Sequence, residues 1–255
     1  MPVKLSLYLR LFITKYNLYI KNKKQRGRMK MLILIDDANL EAIKKIYESF
    51  SCDGVTTNPS ILKKQGGNPM EVLKSIREFL PEGAQLHAQV VSLTAEKMVD
   101  EAHHMLEVLG KDTFIKVPVT SEGIKAMKLL KKENVNITAT AIYTSMQAFI
   151  AAKAGARYTA PYVNRIDNMG ADGVQVAKDI HDMFKMHNLN ADVLAASFKN
   201  SQQVLNLCKH GIGSVTAAPD VIEGLIKHDA TTNAVDVFTK DFYSLVGEGN
   251  TMENL

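Results

Sequence analysis

The feature that most constrains this chain is an alternation. Short apolar runs of strand length are followed, eight times over, by segments whose apolar residues recur at helical spacing. Leu32–Ile35 is the first strand and ends at Asp36; Leu40, Ile43, Ile46, Tyr47 and Phe50 then follow a period close to 3.6. Gly54–Thr57 is the second strand, ending at Asn58-Pro59, with Pro59 suited to a helix start and a helix from Met70 to Leu80. Leu86–Val91 is the third, with Gln89 inside it; a helix opens near Thr94, with Glu96 in its first turn, and closes at Gly110. The fourth is Thr113–Thr120, with Lys116 at its centre, followed by a helix carrying Ile124, Met127, Leu129 and Leu130.

Asn136–Ala141 is strand five, holding Thr140, and Ser145–Ala154 is its helix, stopped by Gly155. Strand six spans Tyr158–Val163, contains Tyr162 and leads into Asn164-Arg165; its helix spans Ala171–His187. Asp192–Ala196 is strand seven, ending at Ser197, with a helix to His210 that Gly211 stops. Ser214–Ala217 is the eighth strand, followed by helical pieces at 219–228 and 230–246, the last of them an extra C-terminal helix.

Eight strand–helix units in one stretch with short linkers predict an α/β fold of the (β/α)8 TIM-barrel type. A doubly wound open sheet is the alternative, but it has fewer repeats and a glycine-rich phosphate turn after its first strand. No G-x-G-x-x-G follows Ile35, and the chain has no P-loop, no H-E-x-x-H and no G-x-S-x-G.

Charge divides the chain. Residues 1–30 hold nine Lys/Arg and no acid, leaving 22 basic against 27 acidic residues in 31–255. The net charge of +4 therefore belongs to a basic leader, and the mildly acidic remainder does not have the footprint of a nucleic-acid binder. The leader reads as a basic tail, as an organellar transit peptide poor in Ser and Arg, or as a non-native or mis-assigned extension of a unit that starts at Met29 or Met31. Residues 31–255 are expected to form a single barrel domain. Cys52 and Cys208 lie far apart at no metal or redox spacing, which suits a reducing cytoplasm. No apolar run approaches the ~18 residues of a membrane span.

In a barrel the chemistry sits at the C-terminal strand ends. Read in order, those ends deliver Asp36, Asn58, Gln89, Lys116, Thr140, Tyr162 and Ser197 to one mouth. Each has a plain structural reading: Asp36 as a helix cap, Asn58 as a turn residue, Thr140 as a strand threonine, Tyr162 as half-buried core, Lys116 capping a strand end and snorkelling to water. Together they describe a pocket with a carboxylate, a phenol, neutral hydrogen-bonding groups and an amine that burial would keep neutral and nucleophilic.

Arg165 is one of three arginines in 31–255 and lies just past strand six. Its planar guanidinium suits a phosphate, with Ser197 supplying a hydroxyl; the alternative is an ion pair with Asp167 or Asp172. None of the seven histidines pairs with a Cys or carboxylate at ligand spacing, so no metal site is expected.

Five separated segments carry a resemblance: Thr56-Thr-Asn-Pro-Ser60, Ala88-Gln-Val90, Ile115-Lys-Val-Pro-Val-Thr120, Ala160-Pro-Tyr-Val-Asn-Arg-Ile-Asp167 and Ala195-Ala-Ser-Phe-Lys199. In these the chain resembles the small transaldolase family, most closely its fructose-6-phosphate aldolase branch, over residues 31–250 and not over 1–30. The resemblance implies a class I aldolase with the Schiff-base lysine on strand four, here Lys116. It implies proton transfer at a substrate hydroxyl by Asp36. Tyr162 with Gln89 and Thr140 would hold the water of imine formation and hydrolysis, Asn58 and Thr56 would place the ketose hydroxyls, and Arg165 and Ser197 would take the phosphate.

No metal or other cofactor is implied, the protonated imine being its own electron sink. The implied partners are sugar phosphates and small ketones or aldehydes, with no nucleic acid or membrane, in a homodecamer of two pentameric rings. Transaldolases of this kind carry a glutamate where this chain has Gln89 and a phenylalanine where it has Tyr162. Both differences point to the aldolase branch, with transaldolase as the alternative. Asp37 stands where the family has threonine and would raise the pKa of Asp36.

Overall fold

The computed structural model describes residues 31–255; the expectations made for residues 1–30 lie outside the described residues. Eight parallel strands close on themselves in sequence order. They are β1 (Leu32–Asp36), β2 (Gly54–Thr56), β3 (Gln85–Gln89), β4 (Phe114–Pro118), β5 (Ile137–Ile142), β6 (Tyr158–Pro161), β7 (Asp192–Ala195) and β8 (Ser214–Ala217). The helices are α1 (Leu40–Ser49), α2 (Pro59–Gln65), α3 (Pro69–Phe79), α4 (Ala95–Leu109), α5 (Ser121–Lys132), α6 (Ser145–Ala154), α7 (Val163–Asp167), α8 (Gly173–Met186), α9 (Ser201–His210), α10 (Pro219–Glu223) and α11 (Asp229–Val246). The expected (β/α)8 TIM barrel is what the chain forms.

Strand alternation sorts the side chains into two cores. Outward residues such as Ile35, Val55, Leu86, Ile115, Val117, Ala139, Val193 and Val215 pack against the apolar faces of the helices. Inward residues Leu34, Phe114, Tyr158 and Leu194 make a small apolar floor inside the barrel. Beside it the interior is polar, and its groups are paired at His87. His87 stacks on Phe114 with centroids 4.5 Å apart, takes a hydrogen bond at Nδ1 from Thr138 (2.9 Å) and gives one from Nε2 to Gln85 (3.0 Å). Burial first, and the Lys116 amine second, hold its pKa well below the ordinary imidazole value, so it stays neutral.

Local chemistry sets most helix starts. Asn39, Asn58, Asn68, Thr120, Thr144, Asp172 and Asn200 each accept a backbone N–H at an N-cap, and Thr144 with Gln147 closes a capping box. Thr94 holds the expected cap position before α4 but makes no cap bond; Glu122 reaches across from α5 and accepts the Ala95 N–H at 3.0 Å.

Pro59 opens a helix as expected, and that helix is a separate short one, α2, which Asn58 caps and Gly66 at φ 77° ends. Two expectations need correcting. Strand six stops at Pro161, which has no N–H to continue a ladder; Tyr162 makes one isolated bridge to Ala196, and the chain turns into α7. The helical piece at 219–228 closes early, at Glu223.

The end of β4 meets the start of α5 so closely that a Cβ on Gly123 would lie 1.8 Å from the Pro118 carbonyl oxygen. A Gly123→Ala substitution is therefore expected to destabilise the protein by about 1–3 kcal/mol, read as a lowered thermal midpoint. An unchanged midpoint would contradict the contact.

Candidate active site

Lys116 is on β4 with its side chain inward and is 5% exposed. Its Nζ donates to the Thr57 carbonyl at 2.6 Å, so the amine has a neutral backbone acceptor. Burial lowers its pKa from the ordinary lysine value, and the Asp36 carboxylate works against that shift. Asp36, at the end of β1, moves the other way. Burial raises its pKa, while Lys116, the Thr56 hydroxyl and Arg165 oppose this, and Asp37 adds to it as its neighbouring charge suggested. Both groups are thus pushed toward their neutral forms, which is what a low-dielectric mouth does to an amine and a carboxyl.

A cavity of about 300 Å³ opens over this pair, lined by Asp36, Asn58, Lys116, Tyr162, Arg165 and Ser197 together with Ser60, Ile61, Lys64 and Ala196. Six of the nine expected site residues therefore share one wall. The other three lie just behind or beside it. Thr56 is fully buried and donates to Asp36 Oδ1 at 2.7 Å, with Thr216 2.6 Å away on its other side, so its hydroxyl orients the carboxyl. Thr140 lies 2.9 Å from the Tyr162 hydroxyl. Gln89 pairs in register with Lys116 across β3 and β4, yet its side chain lines neighbouring clefts beyond Pro59. Its Oε1 is buried without a hydrogen-bond partner, an orphan acceptor that a water or ligand donor would satisfy.

The approach of Thr140 to Tyr162 depends on a bulge. Ala139 pairs with Thr159 and Ile142 with Pro161, so β5 has one residue more than β6 between those points, and Ala141 takes φ 58°. Such a bulge re-aims side chains at a barrel rim. Arg165 lies in α7 with its guanidinium carbon 4.4 Å from the Tyr162 ring centroid, a stacked cation that also covers the phenol. Neither suggested ion-pair partner holds it. Asp167 accepts the Gly173 N–H and the Gln203 amide, and Asp172 caps α8. Asn58 uses its side-chain oxygen on the Ser60 and Ile61 N–H groups, which leaves its NH2 as the group it can offer the cavity. Ser197 sits at φ 62°, a left-handed position rare for serine.

Sequence reasoning passed over Thr216, Lys64 and the Thr57 carbonyl. The alternation in Ser214-Val-Thr-Ala carried the clue for Thr216, since it faces both residues inward. Lys64 is at the far end of a helix whose start alone was anticipated. A backbone carbonyl leaves no trace in a sequence. Among the described residues no group of three or more His, Cys, Asp or Glu is arranged to hold a metal ion, and no helix is long and apolar enough to cross a membrane.

Residues 33–254 match the family model described as Transaldolase/Fructose-6-phosphate aldolase. The chain is 42% identical over 214 residues to the "Probable fructose-6-phosphate aldolase" of Streptococcus pneumoniae, covering 84% of this chain and 96% of that protein. It is 38% identical over 218 residues to a "Probable transaldolase" of Clostridium botulinum (86% and 99% covered). Against a "Probable transaldolase" of Nitrosopumilus maritimus it is 36% identical over 219 residues (86% and 97%). The chain belongs to the transaldolase/fructose-6-phosphate aldolase family.

The lowered pKa of Lys116 has a direct readout. Because its neutral form persists to lower pH, labelling by a small amine-directed reagent at graded pH is expected to reach half-rate at Lys116 below the ~10.4 of an ordinary lysine. A midpoint at or above that value would show that the barrel does not hold the amine neutral.

Proposed function

We propose that this family member is a class I aldolase that reversibly cleaves fructose 6-phosphate to dihydroxyacetone and glyceraldehyde 3-phosphate. The observation that carries the reading is the buried Lys116 amine, shifted toward its neutral form, facing the same small cavity as a carboxyl, a phenol and a guanidinium stacked on that phenol. Lys116 Nζ attacks the C2 carbonyl, and loss of water gives the protonated imine. The Asp36 carboxylate removes the proton of the C4 hydroxyl as the C3–C4 bond breaks, and the electron pair of that bond moves into the imine to give an enamine. Glyceraldehyde 3-phosphate leaves. Protonation at C3 and hydrolysis by a water near Tyr162 and Thr140 release dihydroxyacetone and the free amine.

Arg165 and Ser197 take the phosphate, with Lys64 as a second cation at the rim; Asn58 places a ketose hydroxyl. Thr56 acts through Asp36, holding its carboxyl in one orientation. Gln89 contributes as an acceptor for the water, and as an amide it transfers no proton. The imine is the electron sink, so the reaction as written uses no metal or other cofactor.

A second reading is a transaldolase that passes the three-carbon enamine to another aldose phosphate, and the two relatives named probable transaldolases favour it. Gln89 and Tyr162 weigh toward the aldolase. One assay separates them. Fructose 6-phosphate alone is expected to yield free dihydroxyacetone, and borohydride added with substrate is expected to fix a stable mass on Lys116. Turnover that requires erythrose 4-phosphate would make the chain a transaldolase, and an adduct elsewhere than Lys116 would end both readings.

The chain is further proposed to work in the cytoplasm as a homodecamer of two pentameric rings. Self-association is supported by α11, which has no buried residue and exposes Val235, Val237, Phe238 and Leu245. Sedimentation of the intact chain is expected to give a species near ten copies, and a monomer at micromolar concentration would refute it.

A further inference from the structure

The two arms that carry Arg165 and Ser197 are held together by a pair of side chains to which no role has been given so far. Asp167, two residues past Arg165, accepts the Gly173 N–H on Oδ1 at 2.7 Å and the Gln203 amide on Oδ2 at 2.6 Å. Gln203, on α9 and 9% exposed, uses its own Oε1 to accept the Lys199 N–H at 2.8 Å. The side chains therefore run as one connection from α7, which carries Arg165, to the loop 196–200, which carries Ser197. Two backbone bonds cross the same gap: Asn164 N–H to the Ser197 carbonyl at 2.7 Å and Val163 N–H to the Ala196 carbonyl at 2.9 Å.

This clamp meets a physical need. Ser197 sits at φ 62°, a conformation its own backbone disfavours and the surroundings must hold. Arg165 is exposed on a helix of five residues, too short to be rigid by itself. Left alone, both arms would drift, and the distance between a guanidinium and a hydroxyl decides whether one phosphate can engage both. A carboxylate shared between two N–H donors and a buried amide with both ends engaged form a charge-assisted connection with little freedom. The tight seating of α8 against α7 adds to it, since a Cβ on Gly173 would lie 2.1 Å from the Val163 carbonyl oxygen.

We infer that Gln203 and Asp167 are positioning residues that set the spacing between Arg165 and Ser197, and so fix the preference for substrates with a terminal phosphate over uncharged ones. The inference rests on Arg165 and Ser197 being the phosphate end of the proposed site. It predicts a selective defect, because the Asp167 and Gln203 side chains make no bond to Lys116, Asp36 or Tyr162.

The test uses inorganic phosphate titrated into the full chain by calorimetry, beside two reactions: cleavage of fructose 6-phosphate and addition of dihydroxyacetone to uncharged glyceraldehyde. Gln203→Leu is expected to weaken phosphate binding and to raise KM for fructose 6-phosphate by about tenfold each, with the uncharged reaction within about twofold of wild type. Asp167→Asn should do the same, since two amide groups cannot satisfy the Gly173 N–H, the Lys199 N–H and each other all at once. The exchange D167N/Q203E keeps the net charge and reverses donor and acceptor, and is expected to recover most of the loss as a double-mutant coupling.

Unchanged phosphate affinity in Gln203→Leu would overturn the inference. So would a parallel fall in both reactions with no recovery in the exchange, which is the mark of a merely structural contact. If the wild-type chain performs neither reaction, the aldolase reading falls, and the phosphate titration still decides the clamp by itself.

Discussion

An amine enclosed in a barrel, with a backbone carbonyl 2.6 Å away as its acceptor, governs what else this mouth can contain. A charged lysine there would have to be desolvated at considerable cost, and a fully satisfied neutral one would have no reason to react. The surroundings settle between these extremes. Burial moves Lys116 down and Asp36 up, and each restrains the other through its charge. The carboxyl is then held by Thr56, and Thr56 by Thr216, so the first, second and eighth strands are joined at the level of the chemistry. Nothing in that arrangement is optional once the amine is inside.

A polar barrel interior is tolerable because its groups are paired. His87 is engaged at both nitrogens by Thr138 and Gln85, and Gln85 reaches on to the Tyr158 hydroxyl at 3.2 Å. Stability is supplied elsewhere, by the apolar layer between strands and helices, which includes the fully buried Ile35, Leu86, Ile115, Met127 and Leu130. This division lets the mouth keep groups that do nothing for folding. Gln89 Oε1, without a partner, and Ser197, in a left-handed conformation, are local costs of that kind, and both lie within the mouth region. The phosphate end follows the same logic with different parts: Arg165 stacks on the Tyr162 ring, while Asp167 accepts the Gly173 N–H and the Gln203 amide.

Much of this was legible in order of chain. The eight strands fall where alternation and apolar runs put them, and α6 and β8 have the expected ends, because Thr144, Gly155 and the short Ser214–Ala217 run are strong local determinants. Placement on a strand end was enough to bring Asp36, Asn58, Lys116, Tyr162 and Ser197 to one cavity. Thr56 entered only through the resemblance, as a residue placing a ketose hydroxyl; its support of Asp36 was not legible, since its direction along β2 says nothing of what stands opposite on β1 and β8. Strand six was read too long because Pro161 and Tyr162 look like strand residues until the missing N–H and the turn into α7 are considered together.

The sequence alone determined the period of the fold, the identity of the buried lysine and the family motifs, because these depend on residue type and local spacing. Tertiary structure decided the rest. It placed the Thr57 carbonyl under the amine, inserted the extra residue in β5 that brings Thr140 to Tyr162, turned Gln89 toward the adjoining clefts and tied Asp167 to Gln203. Each of these joins groups many residues apart across a closed ring. The local pattern of a strand fixes which way a side chain faces, whereas its partner depends on how eight strands meet.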